Sequence, residues 1–214
     1  MFTDRDEAGR KLADKLLEEL GVGEFGGDGG IVLAIPRGGI VIGKELSSKL
    51  NLPLDVLVTK KIPAPGNPEL AIGAVGEEVV FFDENLCQSL CVTEAYKKEI
   101  IEQKKKELES KQNFFRKEKS PLDLKDKTVI LTDDGVATGA TMLAAIRVVK
   151  KFQVKEIIVA VPVIALDTLV QLKKEADKVI YLEAPEMFFA VGQFYREFDQ
   201  VRDEEVLKIL NFKQ

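Results

Sequence analysis

Short apolar runs alternate with amphipathic segments along most of the chain, and this alternation predicts its helices and strands. The N-terminal segment places its apolar side chains on one helical face, so it predicts a helix capped around Thr3 and Asp6 and ended by Gly21. The run IVLAI, residues 31–35, is apolar throughout, as in a strand buried on both faces. A helix over residues 40–50 should follow it.

The middle of the chain is less regular. A glycine-rich turn is predicted at residues 23–30, and a Pro- and Gly-rich loop, KKIPAPGNPEL, covers residues 60–70. Strands are predicted around that loop over residues 54–59, 71–75 and 79–82. A long helix rich in lysine and glutamate is expected over residues 93–119, with a solvated surface.

The second half of the chain alternates cleanly between strand and helix. The predicted strands span residues 128–132, 156–161 and 178–181, and the predicted helices span residues 140–152 and 166–174. Apolar strands that alternate with helices indicate an α/β fold with a doubly wound, mostly parallel sheet. We expect one domain over residues 1–214, with a helical lid-like insertion at about 84–120 and a small C-terminal hood at about 183–214.

Composition narrows the classes of function. The chain has 214 residues, an apolar fraction of 45% and a net charge of −5, which fit a globular protein and argue against broad binding of nucleic acid. Histidine is absent, so a Ser-His-Asp triad and a histidine metal site are excluded. Cys87 and Cys91 are too few for a zinc site and are expected as reduced thiols. The charged N-terminus does not resemble a signal peptide, and no apolar run could span a bilayer, so a cytoplasmic protein is expected.

The segment VILTDDGVATGATM, residues 129–142, joins a predicted buried strand to a loop of small residues. Two adjacent carboxylates, Asp133 and Asp134, stand at the carboxyl end of the strand, where α/β sheets bind ligands. Gly135 and Gly139 allow the loop to turn tightly, and the amides at the start of the next helix form a candidate anion site. A ribose 5-phosphate would suit both features. The alternative is an ordinary strand end whose aspartates cap the next helix.

The same segment resembles the signature of the type I phosphoribosyltransferases that binds phosphoribosyl pyrophosphate (PRPP). That signature is a hydrophobic strand, two acidic residues and a small-residue loop that ends in G-x-T. A second match, IPRGG at residues 35–39, follows the first predicted strand and resembles the pyrophosphate loop of the family. The tail AVGQFYREFDQVRDEEV resembles that of uncharacterised members of the superfamily, which leaves the acceptor unassigned.

The resemblance implies a Mg²⁺-dependent transfer of 5-phosphoribosyl from PRPP to a nitrogenous base, with release of pyrophosphate. In the family the acidic pair holds the ribose hydroxyls, and these positions are Asp133 and Asp134. Arg37 and Lys60 are the implied cations at the pyrophosphate, and Mg²⁺ would arrive with PRPP near the acidic pair rather than be held by the protein alone. The other implied PRPP contacts are Gly38, Gly39, Lys61, Gly135, Val136, Ala137, Thr138, Gly139, Ala140 and Thr141.

The acceptor is expected to be a purine or pyrimidine base, recognised by segments outside the signature. Ala137 stands where the 6-oxopurine enzymes of the family carry an aspartate, so the segment resembles the adenine and uracil branches instead. Phe189 and Tyr195 are candidates for stacking on a base, and packing of the tail onto the sheet is the alternative. Arg116 or nearby lysines could close over pyrophosphate as a lid, or the loop APGNPELAIGAVGEE at residues 64–78 could supply that gate.

Two other functions stay open from the sequence alone. The same fold also serves as a non-catalytic PRPP- or nucleotide-sensing regulatory protein, although the intact acidic pair together with Arg37 favours catalysis. A structural subunit that kept only the fold is the third alternative. Neither a membrane nor a nucleic acid is expected as a partner, whereas a homodimer is compatible with the family.

Overall fold

The computed structural model describes residues 1–21, 29–76, 79–116 and 122–211, without the side chain of Glu69. The helices are α1 (Arg5–Leu20), α2 (Gly39–Leu50), α3 (Glu84–Ser89), α4 (Glu94–Arg116), α5 (Ala140–Lys150), α6 (Leu166–Leu172) and α7 (Asp203–Leu210), with a 3₁₀ turn at Val191–Phe194. The strands are β1 (Gly30–Ala34), β2 (Leu54–Val56), β3 (Lys60–Ala64), β4 (Asn67–Gly76), β5 (Val79–Phe82), β6 (Thr128–Thr132), β7 (Glu156–Val163) and β8 (Lys178–Glu183). Most of the predicted glycine-rich turn, the end of the predicted long helix and residues 77–78 lie outside the described residues.

Five strands form a parallel sheet in the order β2-β1-β6-β7-β8. Strands β1 and β6 lie side by side, from Gly30 opposite Thr128 to Ala34 opposite Thr132. Every residue of these two strands is buried, as their continuous apolar runs predicted. The predicted α/β fold with a doubly wound, mostly parallel sheet is confirmed.

Helices cover both faces of the parallel sheet. On one face, Leu12 of α1 and Leu46 of α2 belong to the same buried cluster as Val32 of β1. On the other face, Ile146 of α5 belongs to a cluster with Leu33 of β1. Because successive side chains of a strand point to opposite faces, two cores require apolar residues at every strand position. The loops that follow β1 and β6 therefore leave strands that are buried on both faces.

A second, smaller sheet contains a strand that the sequence did not predict. Strands β3, β4 and β5 form an antiparallel sheet in that order, and β3 occupies part of the loop predicted over residues 60–70. Pro63 lies in β3 at an irregularity of the register with β4. Proline has no amide hydrogen to donate, so it is tolerated in an edge strand and at a bulge, and β3 is the edge of this sheet. The loop prediction was wrong for Lys60–Ala64, because Pro63 concealed an edge strand, and for residues 67–70, which begin β4.

The predicted long helix is present as α4, and the short helix α3 precedes it. Helix α4 packs on β3 and β4 and buries Ile100, Leu108 and Phe115. Most of its other residues are charged or polar, with lysines and glutamates dominating. In the part of the chain that the structure describes, no helix combines the length and the apolar character needed to cross a membrane.

The N-terminal residues lie beside the segment around Phe194. Helix α1 is capped by Asp4, whose carboxylate accepts from the amide of Glu7 over 2.7 Å, so the cap predicted around Thr3 and Asp6 was wrong by one position. Just before this cap, the amide of Phe2 donates to the carbonyl oxygen of Phe194 over 2.7 Å. The N-terminal residues thus pair with the segment predicted as the hood.

Candidate active site at the edge of the parallel sheet

The two loops that the sequence singles out lie against each other. They follow β1 and β6, which are neighbouring parallel strands, so both loops leave the same edge of the sheet. A Cβ added at Gly39 would stand 2.9 Å from the carbonyl oxygen of Thr132 and 2.9 Å from the Cα of Asp133. A Cβ added at Gly38 would overlap the carboxylate of Asp134. Only glycine allows the loop after β1 to approach the acidic pair so closely.

The acidic pair is partly buried and internally hydrogen-bonded. The amide of Asp134 donates to Oδ1 of Asp133 over 2.8 Å. Burial raises the pKa of Asp133 well above its ordinary value, and the neighbouring charge of Asp134 raises it further. Among the described residues, no group of three or more His, Cys, Asp or Glu side chains could hold a metal ion.

Arg5, the first residue of α1, completes the surroundings of the acidic pair. Its Nε donates to Oδ2 of Asp134 over 2.8 Å, and only 11% and 14% of the two side chains are exposed. Its Nη1 donates to the carbonyl oxygen of Asp199 over 2.8 Å, and its guanidinium carbon lies 3.8 Å from the centre of the Phe198 ring. The sequence analysis did not identify Arg5, because 129 positions separate it from Asp134 and the residues that follow it have the ordinary pattern of an amphipathic helix.

The loop after the acidic pair is fixed to the neighbouring strand and helix. The amide of Val136 donates to the carbonyl oxygen of Val163, and the amide of Ala165 donates to that of Val136, both over 2.9 Å. The hydroxyl of Thr168 donates to the carbonyl oxygen of Ala137 over 2.5 Å. The shape of the loop is therefore set by β7 and α6, and the amide of Val136 is engaged within the protein.

Helix α5 begins at the end of this loop. Its cap, Gly139, has φ +74°, a left-handed conformation that favours glycine, and a Cβ there would also stand 2.5 Å from Cγ2 of Thr168. The first amides of a helix have no partner within the helix, and in α5 they belong to Ala140 and Thr141. The side chains of Thr138 and Thr141 are exposed beside them. This helix start offers the donors that a phosphate needs.

The cations implied by the resemblance are engaged with acidic residues of other elements. Arg37 pairs at 3.9 Å with Asp203, the first residue of α7, and the peptide bond before Arg37 is cis. Lys60 pairs at 3.6 Å with Glu107 of α4. Lys61 follows Lys60 on β3 and is partly buried. The two lysines are thus carried by the small antiparallel sheet, not by the parallel sheet that carries the acidic pair.

The two aromatic candidates for acceptor binding differ in exposure. Phe189 is 85% exposed, whereas Tyr195 is only 5% exposed and stacks on Phe198 with ring centres 5.0 Å apart. The hydroxyl of Tyr195 donates to the carbonyl oxygen of Asp134 over 2.6 Å, and burial raises the pKa of Tyr195, which keeps the hydroxyl protonated. Tyr195 braces the acidic pair in this structure, and Phe189 is the candidate whose ring is open to a ligand.

The loop that carries Phe189 is organised by one side chain. Oε1 of Gln193 accepts from the amide of Phe189 over 3.0 Å and from the next amide over 3.2 Å. Nε2 of Gln193 donates to the carbonyl oxygen of Met187 over 3.2 Å. A Cβ added at Gly135 would stand 2.5 Å from Val191, so the hood also packs directly on the loop of the acidic pair.

Arg116, considered above as a lid residue, is buried at the end of α4. Its Nε lies 3.2 Å from Oδ1 of Asp55 and its Nη2 lies 3.3 Å from Oδ2, so the two side chains form a bidentate ion pair. Asp55 belongs to β2 of the parallel sheet. Arg116 therefore joins α4 to the sheet instead of facing solvent above the pyrophosphate loop.

The chain matches the family model described as a phosphoribosyl transferase domain over residues 4–199. It is 35% identical over 212 residues to a protein of Mycobacterium tuberculosis (strain ATCC 25618 / H37Rv) that is provisionally named a phosphoribosyl transferase. The alignment covers 99% of this chain and 46% of that protein, so the chain spans about half the length of the curated relatives it matches.

Two solved structures show how far the fold is shared. The TT1426 protein of Thermus thermophilus is 36% identical and superposes with a TM-score of 0.89, covering 98% of this chain and 97% of its own. A purine phosphoribosyltransferase of Pyrococcus horikoshii is 22% identical, with a TM-score of 0.50 over 92% of each chain. The second likeness concerns the fold alone, whereas the first extends across nearly the whole of both chains.

Proposed function

Because the chain belongs to the phosphoribosyl transferase domain family, we propose that it transfers the 5-phosphoribosyl group of PRPP to a nitrogenous base and releases pyrophosphate. In this reaction the bond between C1 of the ribose and a pyrophosphate oxygen breaks, and a bond from C1 to a nitrogen of the base forms. The observation that carries the proposal is the close approach of Gly38 and Gly39 to Asp133 and Asp134. A sugar held by the pair would place its C1 beside the loop assigned to the leaving group.

The sugar phosphate is assigned to the loop after β6. The carboxylates of Asp133 and Asp134 would accept from the 2- and 3-hydroxyls of the ribose. The phosphate would lie at the start of α5, where the amides of Ala140 and Thr141 and the hydroxyl of Thr138 can donate to it. The contacts of the loop with β7 and α6 support this assignment, because donors held in place before binding cost less to order when the ligand arrives.

The leaving group is assigned to the loop after β1. Breaking the C1–oxygen bond builds positive charge on the sugar and negative charge on pyrophosphate, so the reaction needs fixed electrostatic partners more than a nucleophile. The amides of Gly38 and Gly39 and the side chain of Arg37 are the first candidates there. Lys60 would add a second cation if it exchanges Glu107 for pyrophosphate, and Lys61 follows it on the same strand.

Mg²⁺ is proposed as a companion of PRPP at the acidic pair. In the described part of the chain the two carboxylates belong to no group of three or more His, Cys, Asp or Glu side chains, which fits an ion that keeps several waters and takes other ligands from substrate oxygens. Asp133 and Asp134 would hold it, and when bound it would neutralise the developing charge of the leaving group.

The acceptor is proposed to be a purine or pyrimidine base held by the hood. Phe189 offers an exposed ring in a loop that Gln193 organises, and a flat base could stack on it. Ala137 replaces the aspartate of the 6-oxopurine enzymes, which favours a base of the adenine or uracil type.

A second candidate is a non-catalytic protein that senses PRPP or a nucleotide through the same pocket. The pairing of Arg37 with Asp203 and of Lys60 with Glu107 favours this alternative, because both cations have acidic partners within the protein. Such a protein would still bind the sugar phosphate.

The decisive experiment is a calorimetric titration with PRPP in excess Mg²⁺ and without any base, followed by a panel of purines and pyrimidines monitored for pyrophosphate release. Transferase activity predicts saturable PRPP binding and pyrophosphate release with at least one base. Binding without release across the panel would support the sensor. A chain that binds no PRPP would contradict both.

A further inference from the structure

We propose that Arg5 is a positioning residue of this site: it fixes the carboxylate of Asp134 toward the ribose and ties that carboxylate to the hood. The inference rests on the proposed function and deepens it, because it concerns the same sugar site. Arg5 lies outside the sequence motifs of the site, and 194 positions separate it from Asp199 of the hood, which it contacts.

Three contacts hold the Arg5 guanidinium in one orientation. Nε donates to Asp134, Nη1 donates to the carbonyl oxygen of Asp199, and the guanidinium carbon lies 3.8 Å from the centre of the Phe198 ring. Arginine suits such a role because its donors form a rigid fork whose face also stacks on aromatic rings. The carboxylate that accepts from Nε is therefore oriented before any ligand arrives.

The ion pair leaves Asp134 able to bind a sugar. A carboxylate has two oxygens with about four lone-pair directions, and Arg5 engages Oδ2. The other oxygen, Oδ1, can accept a hydrogen bond from a ribose hydroxyl group. The ribose can thus share Asp134 with Arg5, and binding does not require the nearly buried ion pair to break.

Arg5 also balances the charge of the site. The two adjacent carboxylates would repel each other and the anionic groups of PRPP, and an arginine at 2.8 Å compensates one of them. A Cβ added at Gly38 would stand 3.2 Å from Nε of Arg5, so this cation borders the pyrophosphate loop as well. Its place at the junction of the two loops distinguishes it from Arg37 and Lys60, whose partners lie on α7 and α4.

The hood is connected to Asp134 by one direct hydrogen bond and by one link through Arg5. Tyr195 donates to the backbone carbonyl of Asp134, and Arg5 links its carboxylate to Phe198 and Asp199. The segment expected to read the acceptor is thereby connected to the carboxylate expected to hold the sugar. This arrangement predicts that Arg5 affects PRPP binding through Asp134.

The test compares Arg5→Gln with Arg10→Gln, a matched control on the same helix whose side chain is 58% exposed and 3.9 Å from Glu45. The dissociation constant for PRPP is measured by calorimetry, and urea unfolding of each variant checks its fold. Arg5→Gln should weaken PRPP binding about tenfold, because the Asp134 carboxylate is then no longer held in position for the ribose, and Arg5→Lys should recover part of it. Arg10→Gln should bind as the unchanged protein does.

A double-mutant cycle with Asp134→Asn separates positioning from general support of the fold. If Arg5 acts through Asp134, the double variant Arg5→Gln with Asp134→Asn binds PRPP no more weakly than Asp134→Asn alone. Effects that multiply, or PRPP binding by Arg5→Gln equal to that of the unchanged protein, would overturn the inference and leave the proposed function standing. If the unchanged protein binds no PRPP, the proposed function itself fails and this inference fails with it.

Discussion

The parallel and antiparallel sheets contribute to the site in different ways. Strands β1 and β6 are buried at every residue, whereas every residue of β5 is partly exposed. The loops after β1 and β6 approach so closely that Gly38 and Gly39 have no room for a side chain, whereas a Cβ added at Gly66, in the hairpin between β3 and β4, would have no neighbour within 4 Å. Lys60, on the antiparallel sheet, has a surface ion pair with Glu107.

This difference suits the two tasks that the proposed reaction sets. Sugar recognition depends on donors and acceptors that are already in position, and tightly packed loops supply them. The leaving group has to enter and depart, which suits a second cation, Lys60, on an element held by weaker surface contacts, beside Arg37 of the close-packed loop after β1. The proposal therefore assigns the geometry of the site to the close-packed loops after β1 and β6, and adjustment to the ligand to Lys60 on the antiparallel sheet.

The largest effect is expected where the two regions are joined, at the buried pair Arg116–Asp55. Replacing Arg116 by methionine would leave the buried Asp55 carboxylate without this cation, which should lower the free energy of unfolding by about 3 to 5 kcal/mol. Urea unfolding measures the loss. The companion variant Asp55→Leu with Arg116→Met should recover most of it, because neither charge is then buried alone. A loss below about 1 kcal/mol for Arg116→Met would show that the pair does not join the regions.

The next largest effect is expected at the acidic pair, Asp133 and Asp134, which follows β6. Asp133→Asn combined with Asp134→Asn keeps the shape of both side chains and an oxygen for each hydrogen bond seen here, so the fold should be retained. Binding of PRPP should weaken by about 2 to 4 kcal/mol, since bonds from hydroxyl groups to charged acceptors become bonds to neutral ones. Calorimetry gives the affinity. Unchanged affinity for PRPP would reject the assignment of these carboxylates to the ribose.

A smaller effect should follow from filling the space between the two loops. Gly38 has φ −60° and ψ −38°, angles that any residue adopts, so Gly38→Ala tests steric overlap with Asp134 and not backbone freedom. We expect PRPP binding to weaken by about 1 to 3 kcal/mol as the loops separate. Gly66→Ala is the contrasting control: its φ of +73° makes alanine costly to the fold, but PRPP binding should not change. Equal effects of the two variants on affinity would contradict the close packing described for the site.

The sequence predicts the rigid region better than the peripheral one, for physical reasons. A strand buried on both faces must be apolar at every position, so β1 and β6 are recognisable without any tertiary information. Strand β3 was missed because Pro63 usually marks a loop, and only pairing with β4 reveals that it lies at an edge.

The same distinction applies within the candidate site. Asp133, Asp134 and the loop after them are consecutive, so one segment of sequence presents them together. Arg5 joins them only through the fold, and Tyr195 attracts attention as an aromatic ring, whereas in the structure its hydroxyl makes the contact with Asp134. Contacts between distant parts of the chain leave no local pattern that could be found in a single sequence.

The smallest change in stability is expected at Lys60 and Lys104, which both pair with Glu107. Variants of these two lysines also test whether Lys60 acts at the pyrophosphate. Lys104 donates to Glu107 over 2.8 Å and does most to lower its pKa, while Lys60 lies 3.6 Å away and contributes less. Glu107 therefore keeps an ion pair if Lys60 moves to a ligand. Lys60→Met and Lys104→Met should each change the free energy of unfolding by less than about 1 kcal/mol, because both pairs involve a partly exposed Glu107. Calorimetric titration should then show weaker PRPP binding for Lys60→Met alone, and equal binding by the two variants would remove Lys60 from the pyrophosphate site.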